Sequence, residues 1–211
     1  MEGGIDMSEY KIITISRQFG SGGHEIGEKL ADRLGIPFYD NQLVSMAAEQ
    51  LGYTEESVGR ADESALHSFI TSYGAAPMSY ASFINTASYM PSLDMKVYQK
   101  QTEIILSLAE MGPCVIVGRC ADYILRDKYD CINVFICADK ADRIRRIAER
   151  YDLTEKKAAD RIRKTDRERK FYYETYTGLD WGSIYSHQAL LNASLLGMDK
   201  IVDLLEMAYR A

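Results

Sequence analysis

The chain of 211 residues is short of several things, and each shortage narrows its chemistry. No uninterrupted apolar run approaches the roughly 20 residues of a membrane-spanning helix, so no membrane partner is expected. There is no CxxC pair. Cys114, Cys120, Cys131 and Cys137 are scattered, and Cys114 and Cys137 fall at apolar strand-like runs. Buried reduced thiols fit that pattern better than disulfides or a zinc site, and no metal-ligating set is assigned. Histidine is scarce, at three residues, and His67 and His187 are isolated, which reads as structural or surface placement. Basic charge is outnumbered, 25 Lys and Arg against 31 Asp and Glu, which argues against a general nucleic-acid binder. The opening "MEGGIDMSEY" is acidic and unlike a signal peptide, and no internal repeat is present. The expectation is a cytoplasmic globular protein with one domain spanning 1–211.

What is present reads as strands alternating with helices. "KIITIS" (Lys11–Ser16) is β-rich and apolar enough for a buried central strand. Helical spacing follows through Ile26, Leu30, Ala31 and Leu34 until Gly35 stops it. "IPFYD" reads as a short second strand, and "NQLVSMAAEQ" as a helix capped by Asn41. A long helix is expected from Leu93 to Met111. Strands at "CVIVG" and "INVFICA" flank a helix at "RCADYILRD". From Lys140 the pattern is helical to about Tyr173; "ALLNAS" reads as a last strand and "MDKIVDLLEMAYR" as a closing amphipathic helix. Strands apolar on both faces imply a parallel sheet covered on both sides, with ligands at the carboxyl ends of the strands. The glycine loop "FGSGGHE", Asp40 and "GRC" all fall there.

Two segments depart from the alternation. "SFITSYGAAPMSYASFINTASYMPS" is rich in Ser, Ala, Tyr and Met without a clean period, and reads as either a surface insertion or a substrate-side flap. The stretch from Arg143 to Lys170 holds twelve of the 25 basic residues. A solvated helix face explains some of them, but less well "RIRKTDRERK", with six basic residues and two acidic. Clustered guanidinium groups suit phosphate, whose oxygens they grip in pairs.

The glycine loop admits three readings. A strand, glycine loop and helix bind phosphate through free N–H groups at the helix start, aided by the helix dipole. The Walker pattern G-x-x-x-x-G-K-[ST] asks in addition for a lysine and a hydroxyl. Aligned on "GSG", this chain puts Arg17 at the first glycine, Gly23 at the lysine and His24 at the hydroxyl position. The dinucleotide pattern G-x-G-x-x-G puts Glu25 at its third glycine, a carboxylate facing a pyrophosphate, and leaves the basic half of the chain without a role. The third reading is a structural turn with no ligand.

Five blocks in order and spacing, "ISRQFGSGGHEIGEKLADRLGIPFYD", "GPCVIVGRCADYILRD", "VFICADKADRIRRIAERY", "DRERKFYYETYTGLDW" and "LLNASLLGMDKIVDLL", resemble the cytidylate-kinase-like family, relatives of the P-loop nucleoside monophosphate kinases. The resemblance runs from Tyr10 to Leu205 and is weakest at the Ser/Tyr-rich segment. It implies an α/β P-loop NTPase-type fold: a parallel five-stranded sheet with helices on both faces, a helical insertion after strand 2 and an arginine-rich helical lid after strand 4. The implied core is 10–60 and 93–211, the acceptor-binding insertion about 61–92 and the lid about 150–182.

The resemblance also implies roles. Gly20, Ser21 and Gly22, with Gly23, His24 and Glu25, would cradle the phosphates of ATP, the donor used with Mg²⁺. Gly118 and Arg119, with Asp40, Arg143 and Arg163, would meet the acceptor. Asp166, Arg167 and Arg169 would close over the transferring phosphoryl group. Asp40 reads equally as a helix or turn carboxylate. Three departures stand out: Gly23 replaces the lysine, His24 the hydroxyl, and Gln188 stands where many relatives carry an acid. Arg17, leaving the first strand beside the loop, is the candidate replacement cation; the competing arrangement is a salt bridge to Asp40. The implied activity is transfer of the ATP γ-phosphoryl group to a small phosphate-bearing acceptor such as CMP, with small-molecule nucleotides as partners and oligomeric state open. The rival from another class is a nucleotide- or phosphometabolite-binding regulator without turnover.

Overall fold

The computed structural model describes residues 11–40 and 91–211, with side chains from 98 onward in the second span. The helix expected at "NQLVSMAAEQ", His67 and nearly all of the expected insertion at 61–92 lie outside the described residues. The chain divides into two compact units, Met1–Asp40 with Leu106–Ala211, and Asn41–Ile105. The sheet and the candidate site belong to the first.

The elements are β1 (Lys11–Arg17), α1 (Gly23–Leu34), β2 (Phe38–Tyr39), α2 (Pro91–Glu110), β3 (Val115–Val117), α3 (Ala121–Leu125), β4 (Asp130–Cys137), α4 (Lys140–Tyr151), α5 (Glu155–Thr177), β5 (Ala189–Asn192), α6 (Ala193–Leu196) and α7 (Met198–Arg210). All five strands pair in parallel, in the order β2-β3-β1-β4-β5. β1 is central because its interior is buried from Ile12 to Ser16, as expected of a strand covered on both faces. Its Ile13 and Ile15 join Val115, Val117, Val134 and Ile136 under α1 and α7, which contribute Ile26, Leu30, Ile201, Val202 and Leu205. Fully burying one such side chain contributes about 1.5–3 kcal/mol, so this layer dominates the sheet's stability. Three exposed ion pairs, Lys29 with Asp199 and Arg33 with Asp203 and Glu206, also join α1 to α7. At such exposure they add little.

The helical pattern expected from Lys140 to Tyr173 is broken into two helices. Asp152 adopts a left-handed conformation (φ 49°), and Leu153 N–H returns to Ala148 O at 2.9 Å, ending α4. Thr154 then caps α5 by accepting the Lys157 N–H. Gln188 is built into the sheet. Its side chain accepts from Asn133 N–H at 2.7 Å and donates to Cys131 O at 3.0 Å, setting the start of β5 against β4. The four cysteines are free thiols. Burial pushes Cys114 and Cys131 up to about 12, so both are protonated at neutral pH. No helix among the described residues is long and apolar enough to cross a membrane.

Candidate active site

The carboxyl ends of β1, β2 and β3 deliver Arg17, Asp40 and Gly118–Arg119 to one edge of the sheet. The loop from Gln18 to Gly22 leaves β1 there and feeds α1. Its shape is held from within: Ser21 turns its hydroxyl onto Gln18 O at 2.9 Å, and its N–H points at the same carbonyl. Gln18 in turn takes the Ala138 N–H on its side-chain oxygen. Ser21 therefore shapes the loop rather than presenting its hydroxyl outward. α1 makes its first helical bond from Ile26 N–H to Gly22 O, and no acceptor among the described residues takes the N–H groups of Gly22, Gly23, His24 or Glu25. That row of open donors at a helix start suits an anion.

Gly22 and Gly23 are needed as glycines for different reasons. Gly22 sits at φ 89°, and a Cβ there would meet the Arg146 guanidinium and lie 2.8 Å from Met198 Sδ. At Gly23, the lysine position, a Cβ would come within 2.7 Å of Arg17 Cβ and 3.0 Å of its Cγ. The stem of Arg17 thus fills the space a side chain at position 23 would need.

The Arg17 head group goes elsewhere. Nη2 donates to Asp40 Oδ1 at 3.1 Å, and the guanidinium lies against Gly118. Both side chains are largely buried, 16% and 8% exposed. The bridge between β1 and β2 is therefore the arrangement the structure contains. Asp40 Oδ2 lies 2.6 Å from His24 Nδ1, and the His24 ring sets its edge on Phe38. His24 thus turns to a carboxylate, with its ring 41% exposed.

Three guanidinium groups crowd this edge. Arg169, from α5, donates to Arg17 O at 3.1 Å. Burial and then the Arg17 charge push Arg169 down to about 9, still a cation at neutral pH. Arg17 is also lowered, first by burial and against the pull of Asp40, while Arg119 repels both. Arg119 and Cys120 adopt successive left-handed conformations (φ 60° and 57°), an arrangement unfavourable for residues with a Cβ and held by the buried turn into α3.

α5 is fastened to the loop by one carboxylate. Asp166 accepts the Phe19 N–H at 2.7 Å and the Arg143 guanidinium at 2.6 Å, and Arg143 also donates to Phe19 O at 3.2 Å. Phe19 packs against the small core of Ile147, Ala158 and Ile162. Arg143 and Asp166, expected at the acceptor and the transferring phosphoryl group, form a strut from α4 and α5 to the loop. Arg167 is exposed and makes no ion pair among the described residues. Arg163 is also exposed and pairs with Asp160, so it does not join the cluster. Glu25 faces Arg146 at 3.6 Å and Arg150 at 3.5 Å rather than the loop donors.

Sequence reasoning passed over Phe19, Arg146 and a second buried group. Tyr173 of α5 donates to Asp122 of α3 at 2.5 Å, and His187 Nε2 lies 3.9 Å from the same carboxylate. Burial raises Asp122 above the usual carboxylate range, although the Tyr173 hydrogen bond opposes the rise. An aromatic residue inside a loop of small residues was the one signal available for Phe19.

This strand order and loop can be set beside known proteins. The cytidylate kinase-like family matches residues 12–195. The chain belongs to that family. A cytidylate kinase of Ignicoccus hospitalis is 22% identical over 193 residues, covering 91% of this chain and 95% of that protein. Among solved structures, an uncharacterized protein from Eubacterium ventriosum is 26% identical with a TM-score of 0.71, covering 96% of this chain and 99% of the other. A shikimate kinase from Bacteroides thetaiotaomicron shares the fold at 15% identity and a TM-score of 0.52, over 96% and 99% of the two chains. The fold is that of the P-loop kinases, and family and fold together support a nucleoside monophosphate kinase-like function.

Proposed function

We propose that the protein is an ATP-dependent phosphotransferase that moves the γ-phosphoryl group to a small phosphate-bearing acceptor such as CMP. The observation that carries this reading is the convergence of Arg17, Arg119 and Arg169, whose charges repel one another with Asp40 and Asp166 as counter-charges. Such a cluster beside open N–H groups is relieved by an incoming polyanion. The N–H groups of Gly20, Gly22, Gly23, His24 and Glu25 receive the donor phosphates. Arg119 and Arg169 neutralise charge on the transferring group, Arg17 adds its field from the Asp40 bridge without gripping a phosphate, and Arg167 joins from the exposed side of α5. The Arg143–Asp166 strut keeps α5 against the loop, so that water is excluded while transfer proceeds.

An acceptor monophosphate, with a second pKa near about 6, already offers an ionised oxygen at neutral pH. That oxygen bonds to the γ-phosphorus while the bond from phosphorus to the β–γ bridging oxygen breaks, and ADP leaves with the electron pair. Alignment and charge neutralisation are then the main demands on the protein, and Asp40 with His24 serves to hold Arg17 in place. The donor set does not fit a protein-held Mg²⁺. Ser21 Oγ is committed to Gln18, His24 to Asp40, and no group of three or more metal-binding side chains converges among the described residues. Magnesium belongs to this reading only as part of the ATP substrate. The free thiols, three of them buried, support a reducing compartment, in keeping with the cytoplasm.

A second reading, a nucleotide-binding regulator without turnover, is favoured by one feature, the glycine at the lysine position. A coupled assay following ADP release separates the two, run across nucleoside monophosphates and small alcohols beside a thermal-shift screen of the same compounds. Turnover with CMP or another monophosphate is the expected result. A thermal shift without turnover would leave only the regulator, and neither signal would remove both.

A further inference from the structure

The charge that the missing lysine would bring to the β- and γ-phosphates still needs a source. Arg17 does not supply it in this arrangement, because its guanidinium is spent on Asp40 and lies over Gly118. Arg146 is placed differently. It projects from the middle of α4, and its Nη1 lies against the position that a Gly22 side chain would occupy, with Cζ 3.5 Å from it. Its partners are weak: Met198 Sδ at 3.5 Å and Glu25 Oε2 at 3.6 Å. It is one-third exposed, so the head group can turn without unpacking a core.

The surroundings give this placement a direction. Gly22 opens the row of unclaimed N–H groups at the start of α1. Glu25, in the first turn, stands where negative charge is favoured by the helix dipole, and it faces Arg146 and Arg150 at separations too long for good hydrogen bonds. A polyphosphate entering the loop offers Arg146 oxygens of higher charge at closer range, in the paired geometry a guanidinium prefers. We propose that Arg146 is the cation serving the donor's β- and γ-phosphates in place of the loop lysine, with Glu25 holding it beside Gly22 until the polyphosphate binds. Gly22 is then needed twice, for its backbone conformation and for the room it leaves to Arg146. The inference rests on the kinase reading and adds to it the residue that grips the polyphosphate. The rival role for the same side chain is stacking under the nucleobase, with Met198 beside it.

Isothermal titration of the full-length protein with sodium tripolyphosphate, ATP and adenosine distinguishes these. A charge-assisted hydrogen bond contributes about 1.5–3 kcal/mol, so Arg146→Met should weaken tripolyphosphate and ATP by about tenfold or more. Adenosine affinity should stay unchanged, Arg146→Lys should recover most of the loss, and Glu25→Gln should bind tripolyphosphate as tightly as wild type or more tightly. Tripolyphosphate affinity within twofold of wild type in Arg146→Met would overturn the proposal, as would a loss confined to adenosine and ATP. Should Arg146→Met fail to fold, Arg146→Lys decides, and tripolyphosphate binding near the wild-type value sustains the proposal while a collapse overturns it. If the wild-type protein binds neither ATP nor tripolyphosphate, the kinase reading itself falls and takes this one with it; retained wild-type binding with an indifferent Arg146→Met removes this one alone.

Discussion

Replacing Arg17 by methionine tests the arrangement at the centre of the site. Methionine keeps an unbranched stem, so the space beside Gly23 that Arg17 Cβ and Cγ occupy stays filled, while the charge and its hydrogen bond to Asp40 are lost. Removing one partner of a buried ion pair costs about 3–5 kcal/mol when the other charge is left uncompensated. Three features reduce that figure here. The pair is joined by one bond at 3.1 Å rather than by a two-bond fork, Asp40 retains His24 at 2.6 Å, and Arg119 and Arg169 are relieved of a repelling neighbour. A net loss of about 2 kcal/mol is expected, and in a chain of this length about 2–4 °C per kcal/mol gives a fall in Tm of about 4–8 °C. Urea and thermal unfolding followed by circular dichroism, without nucleotide, measure it. A variant melting within a degree of wild type would refute the reasoning. It would show that the Asp40 contact contributes nothing to folding and that Arg17 is held in place for a ligand alone.

Two further expectations follow from where other charges lie. Arg167→Ala should melt like wild type, since an exposed side chain without an ion pair among the described residues has little to lose. Arg169→Ala, which strips a donor from Arg17 O and a guanidinium from over the Phe19 ring but also relieves repulsion, should cost about 1–2 kcal/mol. If both close over the transferring group, each should lower kcat/KM by about a hundredfold, and wild-type kinetics in Arg167→Ala would return that residue to a solvated helix face. The Asp122 carboxyl predicts a pH effect. Burial raises it above 3.8, so the folded protein holds that proton more tightly than the unfolded chain and this group's contribution to stability falls as pH rises from 3.8 through the folded value. Asp122→Asn retains an acceptor for Tyr173 and removes the titration. Its stability relative to wild type should therefore improve from acid towards neutral pH, and a difference that does not vary with pH would refute the assignment.

The parallel sheet was legible because its causes are local. Ile12, Ile13 and Ile15 in β1, and Val115–Val117 in β3, are apolar without alternation, and only a strand covered on both faces accommodates that. The end of α1 at Gly35 and the strand–loop–helix order were equally readable, since both depend on backbone preferences of single residues. The five blocks carried the family for the same reason, as spacing along the chain survives where side-chain partners do not.

Which charge meets which was decided only by the tertiary structure. Arg17 stands beside the glycine loop in the sequence and Arg146 far along the chain in the basic run, yet Arg17 is turned to Asp40 across the end of β3 and it is Arg146 that lies over Gly22 from α4. The run from Arg143 to Lys170 likewise looked uniform. Folding divides it into a buried strut at Arg143, a donor to the loop at Arg169, a surface pair at Arg163 and an exposed cation at Arg167. The break at Asp152–Thr154 sets α5 against Phe19, and that packing decides which guanidinium groups face inward. Long, flexible side chains choose partners by distance and burial, and both are properties of elements far apart in the chain.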